Sequence, residues 1–520
     1  MKMKKIKILW ADDEIDILKP HILFLEQKGY EVIAVNNGTD AIDLCNGELP
    51  DVVFLDENMP GMSGLETLLE IKKQHPVIPV VMITKSEAED LMEQAIGQKI
   101  ADYLIKPVNP NQILMAIKKV VQARDIINEK ATDNYRSQFM NISSLISSST
   151  DYDGWMDLYK NIVFWEMELD RTGGSMEEML LMQKNEANSA FDKYIKKNYA
   201  KWFASPDADR PMMSPDVFKQ KIFPLLDAGE KVFFVLIDNL RLDHWRVIQK
   251  ELASSYNFVD DDTFYSILPT ATQYSRNAIF SGLMPAQIRK MYPQYWVDEE
   301  EDEGKNLNEE ALIRTQMERF RKKYTFSYHK INTNNAGDKL NENLKQLFAN
   351  QLNVVVFNFV DMLSHARTEV KLFRELAPDE AAYRSLVHSW FVHSSIAGFF
   401  RILAEQDVTV VLSTDHGSIR VKNAIKVVGD RNTNVNLRYK LGKNLNFNPK
   451  EVLHVPKPES VGLPSPNVST SYVFASGSDF FAYPNNYNYY VSYYKDTFQH
   501  GGISMEEMII PLVTMKPKKS

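Results

Sequence analysis

Acidic side chains follow short apolar runs in the first part of this chain. Asp12 and Asp13 come after residues 6–10, and Asp56 comes after residues 52–55. Such runs are typical of buried parallel strands, and ligands of parallel sheets bind at the carboxyl ends of the strands. Three neighbouring carboxylates repel one another unless a cation joins them, and an oxygen-only site suits Mg²⁺. The spacing therefore predicts a magnesium site.

Two further polar residues end the next apolar runs. Thr84 closes residues 77–84, and Lys106 follows residues 103–105. An aspartate can attack a phosphoryl donor and form an acyl phosphate. A nearby ammonium group and hydroxyl would stabilise the added oxygens. These residues together predict a phosphoryl-acceptor pocket.

A second set of metal-binding residue types lies in the later part of the chain. It consists of Asp238, Asp361, His365, Asp415, His416 and His500. Three apolar runs, at residues 232–237, 354–360 and 408–414, deliver the acids to one edge of a sheet. His365 follows Asp361 by one helical turn. Mixed histidine and aspartate ligands favour zinc, or manganese, over magnesium.

Two threonines of this second region, Thr270 and Thr272, supply hydroxyl groups. A threonine hydroxyl is a poor nucleophile at neutral pH unless metal coordination lowers its pKa. Two metal ions about 4 Å apart would clamp the attacking and leaving oxygens of a displacement at phosphorus. We therefore expect hydrolysis of phosphate esters, and monoesters and diesters both remain open.

The elements that must position these residues alternate between strand and helix in residues 1–125. Strands are predicted at residues 6–10, 32–35, 52–55, 77–84 and 103–105, and helices at residues 15–28, 39–45, 65–74, 87–98 and 110–124. This alternation predicts an α/β domain with a parallel sheet.

The rest of the chain divides into two further regions. Residues 126–204 carry apolar residues at helical spacing and predict a helical linker or bundle, in which the serines of residues 143–149 are breaks between helices. Residues 205–520 return to an α/β pattern, and residues 432–467 look like a long insertion.

Composition limits the class of protein. The 520 residues carry a formal net charge of −9, which argues against DNA binding as the main output. Cys45 is the only cysteine, so no intrachain disulfide is possible and a reducing compartment is expected. No apolar stretch reaches membrane-spanning length and the first residues lack signal-peptide features, so we expect a cytoplasmic protein that is not membrane-embedded.

The first constellation resembles the response-regulator receiver family. The matching stretches are residues 11–14, 56–64, 84–85 and 103–107. The resemblance implies a flavodoxin-like domain that is phosphorylated on Asp56 by a sensor histidine kinase. It implies a magnesium site formed by Asp12, Asp13, Asp56 and the main-chain carbonyl of Asn58. It also implies that Thr84 and Tyr103, beside Lys106, form the switch that responds to phosphorylation.

The second constellation resembles the alkaline phosphatase superfamily, in particular its PglZ branch. The matching stretches are residues 238–241, 269–272, 281–282, 361–365, 414–417 and 500–502. The resemblance implies one zinc site formed by Asp238, Thr272, Asp415 and His416 and another formed by Asp361, His365 and His500. It implies that Thr272 is the nucleophile, because family members place it at the second of the two threonines after the proline. Asn239 and Arg276 are candidate phosphate contacts.

The order of the three regions resembles PorX-type regulators of the type IX secretion system. This resemblance implies partners in the secretion machinery or a sigma factor. We expect phosphorylated Asp56 to promote homodimerisation, because a phosphoryl group adds nearly two negative charges. The sequence has no helix-turn-helix signature and no basic output domain, so direct binding to duplex DNA is not expected.

Basic and aromatic residues bear on the substrate. Basic residues cluster after His416, at Lys422, Lys426, Arg431, Arg438, Lys440 and Lys443, and residues 480–498 are rich in tyrosine and phenylalanine. These features favour oligonucleotides or cyclic nucleotides, while a solvated loop and ordinary core packing are the alternatives. The rival function is a phosphorylation-dependent interaction switch in which the zinc site is structural and catalytically silent.

Overall fold

The computed structural model describes most of the chain, in two compact units. The described residues are 5–47, 49–75, 78–85, 100–149, 151–170, 176–205, 207–299, 301, 306–369, 379–430, 433–482 and 486–518, with residues 121–133 and 366–369 described by their backbone alone. One unit comprises Met1–Asn134 and the other Tyr135–Ser520.

A parallel sheet forms the centre of the first unit. Its strands among the described residues are β1 (Lys7–Ala11), β2 (Glu31–Val35), β3 (Val52–Asp56), β4 (Val80–Thr84) and β5 (Asp102–Ile105). They lie in the order β2-β1-β3-β4-β5, and every pair is parallel. All five side chains of β3 are buried, because helices cover both faces of such a sheet. This order confirms the predicted flavodoxin-like fold.

The helices of the first unit agree with the sequence pattern except at their ends. They span Lys19–Gln27, Gly38–Gly47, Gly64–Gln74 and Pro110–Ser148. The first begins four residues later than predicted, because hydrogen-bonded turns at residues 12–18 precede it. The helix predicted at residues 87–98 lies outside the described residues.

The predicted break between helices falls at the end of the serine run, because the helix Pro110–Ser148 includes the serines before Ser149 and the next helix begins at Tyr152. Serine hydroxyls are satisfied inside the helix: Ser147 Oγ donates to the carbonyl of Ser143 at 3.1 Å. Ile142 and Ile146 lie one turn apart and are both buried, so an apolar stripe continues through the serines. Packing of that stripe outweighs the weak helix propensity of serine.

The helices Tyr152–Leu169 and Met176–Asn198 and the 3₁₀ turn Tyr199–Phe203 confirm the helical middle region. Their buried side chains belong to the same hydrophobic core as those of the large sheet that follows. Phe191 stacks on Tyr265 with ring centroids 6.2 Å apart, and the amide of Leu268 donates to the Tyr199 hydroxyl at 2.8 Å. The middle helices and the sheet therefore share one core.

The large sheet of the second unit is mixed, with parallel and antiparallel strand pairs. Its described strands are β6 (Val232–Ile237), β7 (Tyr256–Tyr265), β8 (Phe326–Ile331), β9 (Leu352–Phe357), β10 (Thr409–Ser413) and β18 (Ile509–Pro517). They lie in the order β7-β18-β10-β6-β9-β8, and β18 is antiparallel to both of its neighbours. β9 ends at Phe357, so Phe359 and Asp361, predicted at a strand end, lie in the helix Phe359–Glu369.

The predicted insertion at residues 432–467 contributes two strands to a small sheet apart from the large one. The strands β13 (Tyr439–Lys443), β14 (Val452–Val455) and β15 (Thr470–Ala475) pair in the order β13-β15-β14. Four more strands, β11 (Ile419–Arg420), β12 (Asn423–Lys426), β16 (Asp479–Ala482) and β17 (Phe498–Gln499), pair as β11-β17 and β12-β16. The segment has its own apolar clusters, which is why it is ordered into strands.

Helices flank the large sheet. Those of the described chain span Phe223–Asp227, Leu242–Leu252, Thr272–Ser281, Pro285–Met291, Glu309–Arg319, Asn334–Leu347, Phe359–Glu369, Glu380–His393, Ser395–Ala404, Tyr487–Tyr494 and Met505–Met508. Within the part of the chain that the structure describes, none of the helices combines the length and apolar character required to cross a membrane.

Candidate functional sites

The first site lies where β1 and β3 end. Carboxylate oxygens of Asp12, Asp13 and Asp56 lie within 4.8 Å of one another. Lys106, after β5, places its Nζ 2.9 Å from Asp12 Oδ2 and 2.9 Å from Asp56 Oδ1. A Cβ on Gly64 would lie 2.2 Å from the carbonyl oxygen of Asp56, so only glycine fits there. The sheet topology thus gathers the predicted pocket.

Electrostatics in this pocket favour a cation. Burial raises the pKa of Asp56, Lys106 lowers it, and the charges of Asp12 and Asp13 raise it again. The net effect is a raised pKa, which means that the ionised carboxylate lacks enough positive charge around it. Three carboxylates with only oxygen donors fit Mg²⁺, which prefers such ligands.

The other predicted receiver residues lie around this pocket at different exposures. Thr84 ends β4 and is half-buried, and its carbonyl accepts from the Lys106 amide at 2.8 Å. Tyr103, in β5, is 39% exposed. Asn58 lies in the exposed turn two residues after Asp56. Neither side chain of the predicted switch pair is buried, so both can change conformation without disrupting the core.

The second site contains two adjoining groups of metal-ligand side chains. Asp238, Asp415 and His416 form one, and ligand atoms within it lie within 4.8 Å of one another. Asp361, His365 and His500 form the other, by the same measure. The rings of His416 and His500 stack with centroids 4.1 Å apart, so the two groups are in contact. The structure brings together all six residues that the sequence singled out.

The six residues come from four places in the fold. Asp238 follows β6, Asp415 comes two residues after β10, and His500 follows β17. Asp361 and His365 lie one turn apart in the helix Phe359–Glu369. The parallel strands β6, β9 and β10 end at one edge of the sheet, which gives the site its position.

Hydrogen bonds fix which ring nitrogen of two histidines is free to bind metal. Nδ1 of His500 lies 3.1 Å from the carbonyl oxygen of Thr270, and Nδ1 of His416 lies 3.0 Å from that of Gly417. A carbonyl oxygen can only accept, so each Nδ1 carries the proton. Nε2 of each ring is then left unprotonated as a ligand atom.

Asn239 joins the two groups of ligands. Its backbone nitrogen lies 3.4 Å from Asp415 Oδ1, and its side-chain Nδ2 lies 3.2 Å from Asp361 Oδ1. The residue is fully buried, with φ at 61°, a conformation that asparagine tolerates better than most side chains. Asn239 therefore contacts ligand carboxylates of both groups.

Thr272 is the first residue of the helix Thr272–Ser281. Its Oγ1 lies 3.1 Å from His416 Nε2 and 3.5 Å from Asp238 Oδ1. Thr270, the other candidate, is fully buried, and its hydroxyl both donates to the carbonyl of Gly502 and accepts from the amide of Gly501. Only the Thr272 hydroxyl of this pair faces the ligand cluster.

The charges of the site suit a divalent metal that prefers histidine and carboxylate. Burial lowers the pKa of His500 to about 3, so its imidazole is neutral and able to act as a ligand. Burial raises the pKa of Asp238 well above its ordinary value, even though Arg276 opposes that shift. Burial would also raise the pKa of Asp361, but the His365 hydrogen bond and the other imidazoles lower it below its usual range. The donor set fits zinc.

Arg276 corrects the expectation of a phosphate contact. Its side chain is 1% exposed, and its guanidinium lies 2.5 Å from Asp238 Oδ2 and 2.9 Å from Asp415 Oδ2. The same group also contacts Glu309 Oε1 at 3.3 Å and Asn358 Oδ1 at 3.1 Å. Arg276 is thus occupied by the ligand carboxylates and holds them in place from the buried side.

Two of the basic residues expected to track a substrate are also buried. Arg438 is fully buried and pairs with Glu507, and Lys440 is 2% exposed and donates to the carbonyl of Asn434. Burial lowers the pKa of Lys440 to about 7. Lys426 is exposed, and Arg431 lies outside the described residues.

The sequence reasoning missed residues that support the ligands without touching a metal. Glu309 and Asn358 hold Arg276, and Glu507 accepts from the amide of Gly502 at 2.9 Å. Residues 504–507 carry a serine followed three places later by a glutamate, which is a helix-capping signal. That signal was available, but it predicts a helix start and not a role beside a metal site.

Three family models match the chain. A response regulator receiver domain matches residues 8–118, a PorX response regulator linker domain matches residues 125–203, and a BREX system PglZ alkaline phosphatase-like domain matches residues 217–515.

The curated relatives match its first part. The alginate biosynthesis transcriptional regulatory protein AlgB of Pseudomonas syringae pv. tomato is 35% identical over 120 residues, which are 23% of this chain and 27% of that protein. The alkaline phosphatase synthesis transcriptional regulatory protein PhoP of Bacillus subtilis is 26% identical over 184 residues, or 34% of this chain and 72% of that protein. The chain spans about a quarter of the length of AlgB.

Two solved structures are similar to part of the chain. Chemotaxis response regulator CheY4 of Vibrio cholerae is 28% identical and covers 22% of this chain and 99% of its own, with a TM-score of 0.22. A receiver domain protein from Clostridium thermocellum is 33% identical and covers 23% of this chain and 97% of its own, with a TM-score of 0.22.

Proposed function

This chain belongs to the PglZ alkaline phosphatase-like family, and from that premise we propose that residues 205–520 form a two-zinc phosphodiesterase or phosphatase controlled by phosphorylation of Asp56. The chain combines this domain with a receiver domain and a PorX-type linker. Control by phosphorylation follows from that combination, because a receiver domain takes its phosphoryl group from a sensor kinase.

One observation carries the enzymatic part of the proposal. The hydroxyl oxygen Oγ1 of Thr272 lies 3.1 Å from His416 Nε2, in the first group of candidate metal-binding side chains. The second group adjoins the first through the stacked rings of His416 and His500. A purely structural metal site needs neither a second group of ligands nor a hydroxyl at its edge.

The residues of the second site would bind two zinc ions. Asp238, Asp415, His416 and Thr272 would hold one zinc, and Asp361, His365 and His500 the other. Bound zinc supplies a Lewis acid that lowers the pKa of the hydroxyl and neutralises charge on phosphate oxygens.

Thr272 Oγ1 attacks phosphorus and loses its proton, and the bond to the leaving alcohol breaks as that oxygen takes up a proton. Water then cleaves the threonine phosphoester and restores the hydroxyl. The amides at the start of the helix Thr272–Ser281 favour the phosphate.

The receiver half works by a separate chemistry. The Asp56 carboxylate attacks the phosphoryl donor, and the bond between phosphorus and the donor breaks. Asp12 and Asp13 would hold magnesium at this site, and Lys106 stabilises the added oxygens. Thr84 and Tyr103 then respond, and the chain dimerises.

A basic and aromatic surface near His500 bears on the substrate. Exposed Lys426 stands 4.8 Å over the ring of Tyr487, at the start of the tyrosine-rich helix Tyr487–Tyr494, which precedes β17 and His500. Aromatic rings beside a cation suit nucleobases, so we propose oligonucleotides or cyclic nucleotides. We propose a cytoplasmic location and a role in regulating type IX secretion, with a sensor kinase and a sigma factor or secretion protein as partners.

The test combines metal content with turnover. Wild-type protein and the variants Thr272→Ala and Thr272→Ser are assayed for bound zinc and for hydrolysis of bis(4-nitrophenyl) phosphate, 4-nitrophenyl phosphate and a cyclic dinucleotide. We expect about two zinc ions per chain at this site in wild type. Thr272→Ala should lower kcat by at least about a thousandfold, because the nucleophile is lost, whereas the serine retains a hydroxyl.

The outcomes separate the two functions. Zinc-dependent diester hydrolysis that is lost in Thr272→Ala supports the enzyme. Bound zinc with no Thr272-dependent turnover supports the interaction switch, in which the zinc site is structural and a protein partner receives the signal. Absence of zinc from wild type would contradict both.

A further inference from the structure

A short helix, Met505–Met508, lies between the metal-ligand histidines and the helical middle region. Its two adjacent glutamates face opposite ways. Glu507 is fully buried on the side of the metal ligands, and Glu506, 2% exposed, meets the helix Met176–Asn198. The proposed metal site and the middle helix therefore contact the same four-residue element.

On the side of the metal ligands, Glu507 holds two loops at once. Its Oε1 accepts from the amide of Gly502, two residues after His500, at 2.9 Å. Its carbonyl oxygen accepts from the amide of Gly417, directly after His416, at 3.2 Å. Arg438 fixes the carboxylate in turn, with Nη2 2.7 Å from Oε2. Glu507 thus accepts hydrogen bonds from backbone amides close to both stacked histidines.

On the other side, Asn188 and Lys184 hold the helix. The Asn188 side chain donates to Glu506 Oε2 at 2.9 Å and accepts from the amide of Met505 at 2.9 Å. Lys184 Nζ lies 3.1 Å from Glu506 Oε1 and 2.8 Å from Glu166 Oε1. Burial opposes the charge on Lys184, but Glu166 and Glu506 raise its pKa well above the ordinary value, so this contact is ionic.

The backbone at Gly417 packs closely against that of Glu506, with no room for a side chain at position 417. A Cβ on Gly417 would lie 2.0 Å from the carbonyl oxygen of Glu506. The helix Met505–Met508 therefore contacts the backbone next to His416 directly, by this packing and by the hydrogen bond from Gly417 to Glu507. Packed backbone of this kind transmits displacement, because protein interiors do not compress.

We propose that Glu507 is a positioning residue for His416 and His500, and that Asn188 of the middle helix keeps Glu507 in place through the helix Met505–Met508. The affinity of the second unit for zinc then depends on a side chain of the helical middle region that touches no ligand. This inference rests on the proposed zinc site. It adds a role for the linker region as part of the support of that site.

The test measures zinc affinity by competition with a chromophoric chelator, on the full chain, for wild type and the variants Asn188→Ala and Glu507→Gln. Loss of a residue that supports metal ligands weakens metal affinity by about 10–100-fold. We expect Glu507→Gln near the upper end and Asn188→Ala near the lower end, since Asn188 acts through one more element. Each titration is made well below the variant's own unfolding transition.

The matched control is Asn185→Ala, an exposed asparagine three residues before Asn188 in the same helix. It should keep the wild-type zinc affinity. Cobalt(II) absorption spectra of the loaded proteins provide a second readout, since altered ligand geometry changes the bands whereas a merely less stable fold does not. If Glu507→Gln does not fold, Asn188→Ala decides alone, because it leaves the Arg438–Glu507 pair intact.

The results have separate meanings. Wild-type protein that binds no zinc contradicts the proposed function. Wild-type protein that binds zinc, with Asn188→Ala indistinguishable from Asn185→Ala in affinity and cobalt spectrum, overturns the present inference and leaves the proposed function standing.

Discussion

Among single residues, Arg276 shows how the site tolerates buried negative charge. Its guanidinium pairs with Asp238, Asp415 and Glu309, and none of these side chains is more than 5% exposed. Carboxylates without a cation are costly to bury, so the arginine and any bound metal share the task of neutralising them.

The variant Arg276→Met should therefore lower the free energy of unfolding by about 3–5 kcal/mol in the presence of a chelator, because buried charges lose their partner. Zinc should restore part of the loss. Urea unfolding with and without zinc measures both effects. The control Arg314→Met removes an exposed ion pair with Glu310 and should cost less than about 1 kcal/mol. A loss for Arg276→Met no larger than for this control would contradict the assignment.

His244 makes a second prediction, about pH. It is fully buried in the second unit, and burial lowers its pKa from 6.5 to about 3. Between these values the unfolded chain binds a proton that the folded chain does not, so the free energy of unfolding falls as the pH drops below 6.5. This one group contributes a slope of up to about 1.4 kcal/mol per pH unit.

The variant His244→Gln should remove that part of the slope. Chemical denaturation at several pH values below 6.5 measures it, and His393→Gln, at an exposed position, serves as the control that keeps the buried imidazole. Equal slopes in wild type and His244→Gln would show that the imidazole does not become charged on unfolding.

Residue types and their order were enough to predict which side chains gather in the second site. Asp238, Asp361, Asp415 and His416 follow apolar runs, and the structure brings them together with His365 and His500. The burial of Arg276 and Arg438 was not predictable, because an arginine in a polar stretch looks the same whether it faces a substrate or a buried carboxylate. Only the three-dimensional partners distinguish the two.

At the scale of elements, the close approach between the end of β10 and the helix Met505–Met508 yields the third prediction. The variant Gly417→Ala places a methyl group against the backbone of Glu506, which cannot rotate away. We expect a lower unfolding temperature, by a destabilisation of about 1–3 kcal/mol. Calorimetry measures the change.

The control for this variant is Gly47→Ala, since a Cβ there meets no atom within 4 Å. It should leave the stability of the chain unchanged or slightly higher, because alanine favours a helix. A wild-type unfolding temperature for Gly417→Ala would mean that the two elements are less tightly packed than the distance implies.

Three strands with continuous apolar runs were predicted from the sequence, and the more polar strand β7 was not. β3, β6 and β10 are wholly buried and were recognised from sequence. β7 was missed because residues 260–262 are three aspartates, which pair with Lys160, Lys221 and Arg246. Ion pairs that form only in the folded protein satisfy these carboxylates. The hydrophobic pattern of the sequence does not show such pairs.

At the scale of the whole molecule, phosphorylation of Asp56 should change the state of association. Wild-type protein treated with acetyl phosphate and magnesium should double its mass in light scattering, because the added charge shifts the receiver to its active conformation. Asp56→Ala should stay at the starting mass. The same mass for both proteins after treatment would contradict a phosphorylation-dependent dimer.

The three regions were visible in the sequence as changes of pattern, but the sharing of a core was not. Residues 126–204 looked like a separate bundle, whereas Trp155 and Phe191 belong to the core that also contains Phe234 of the large sheet. The sequence of a helix shows that one face is apolar, but it does not show which surface covers that face.

The position of β18 has a consequence for how the protein is made. The last strand of the large sheet in chain order pairs with β7 on one side and β10 on the other. A ribosome delivers strands in order, so β7 and β10 must wait for their shared neighbour with unpaired edges. The sheet of the nascent chain therefore closes only after β18 has been synthesised. Until then the unpaired edges of β7 and β10 are exposed, and this is the stage at which chaperones have most to protect.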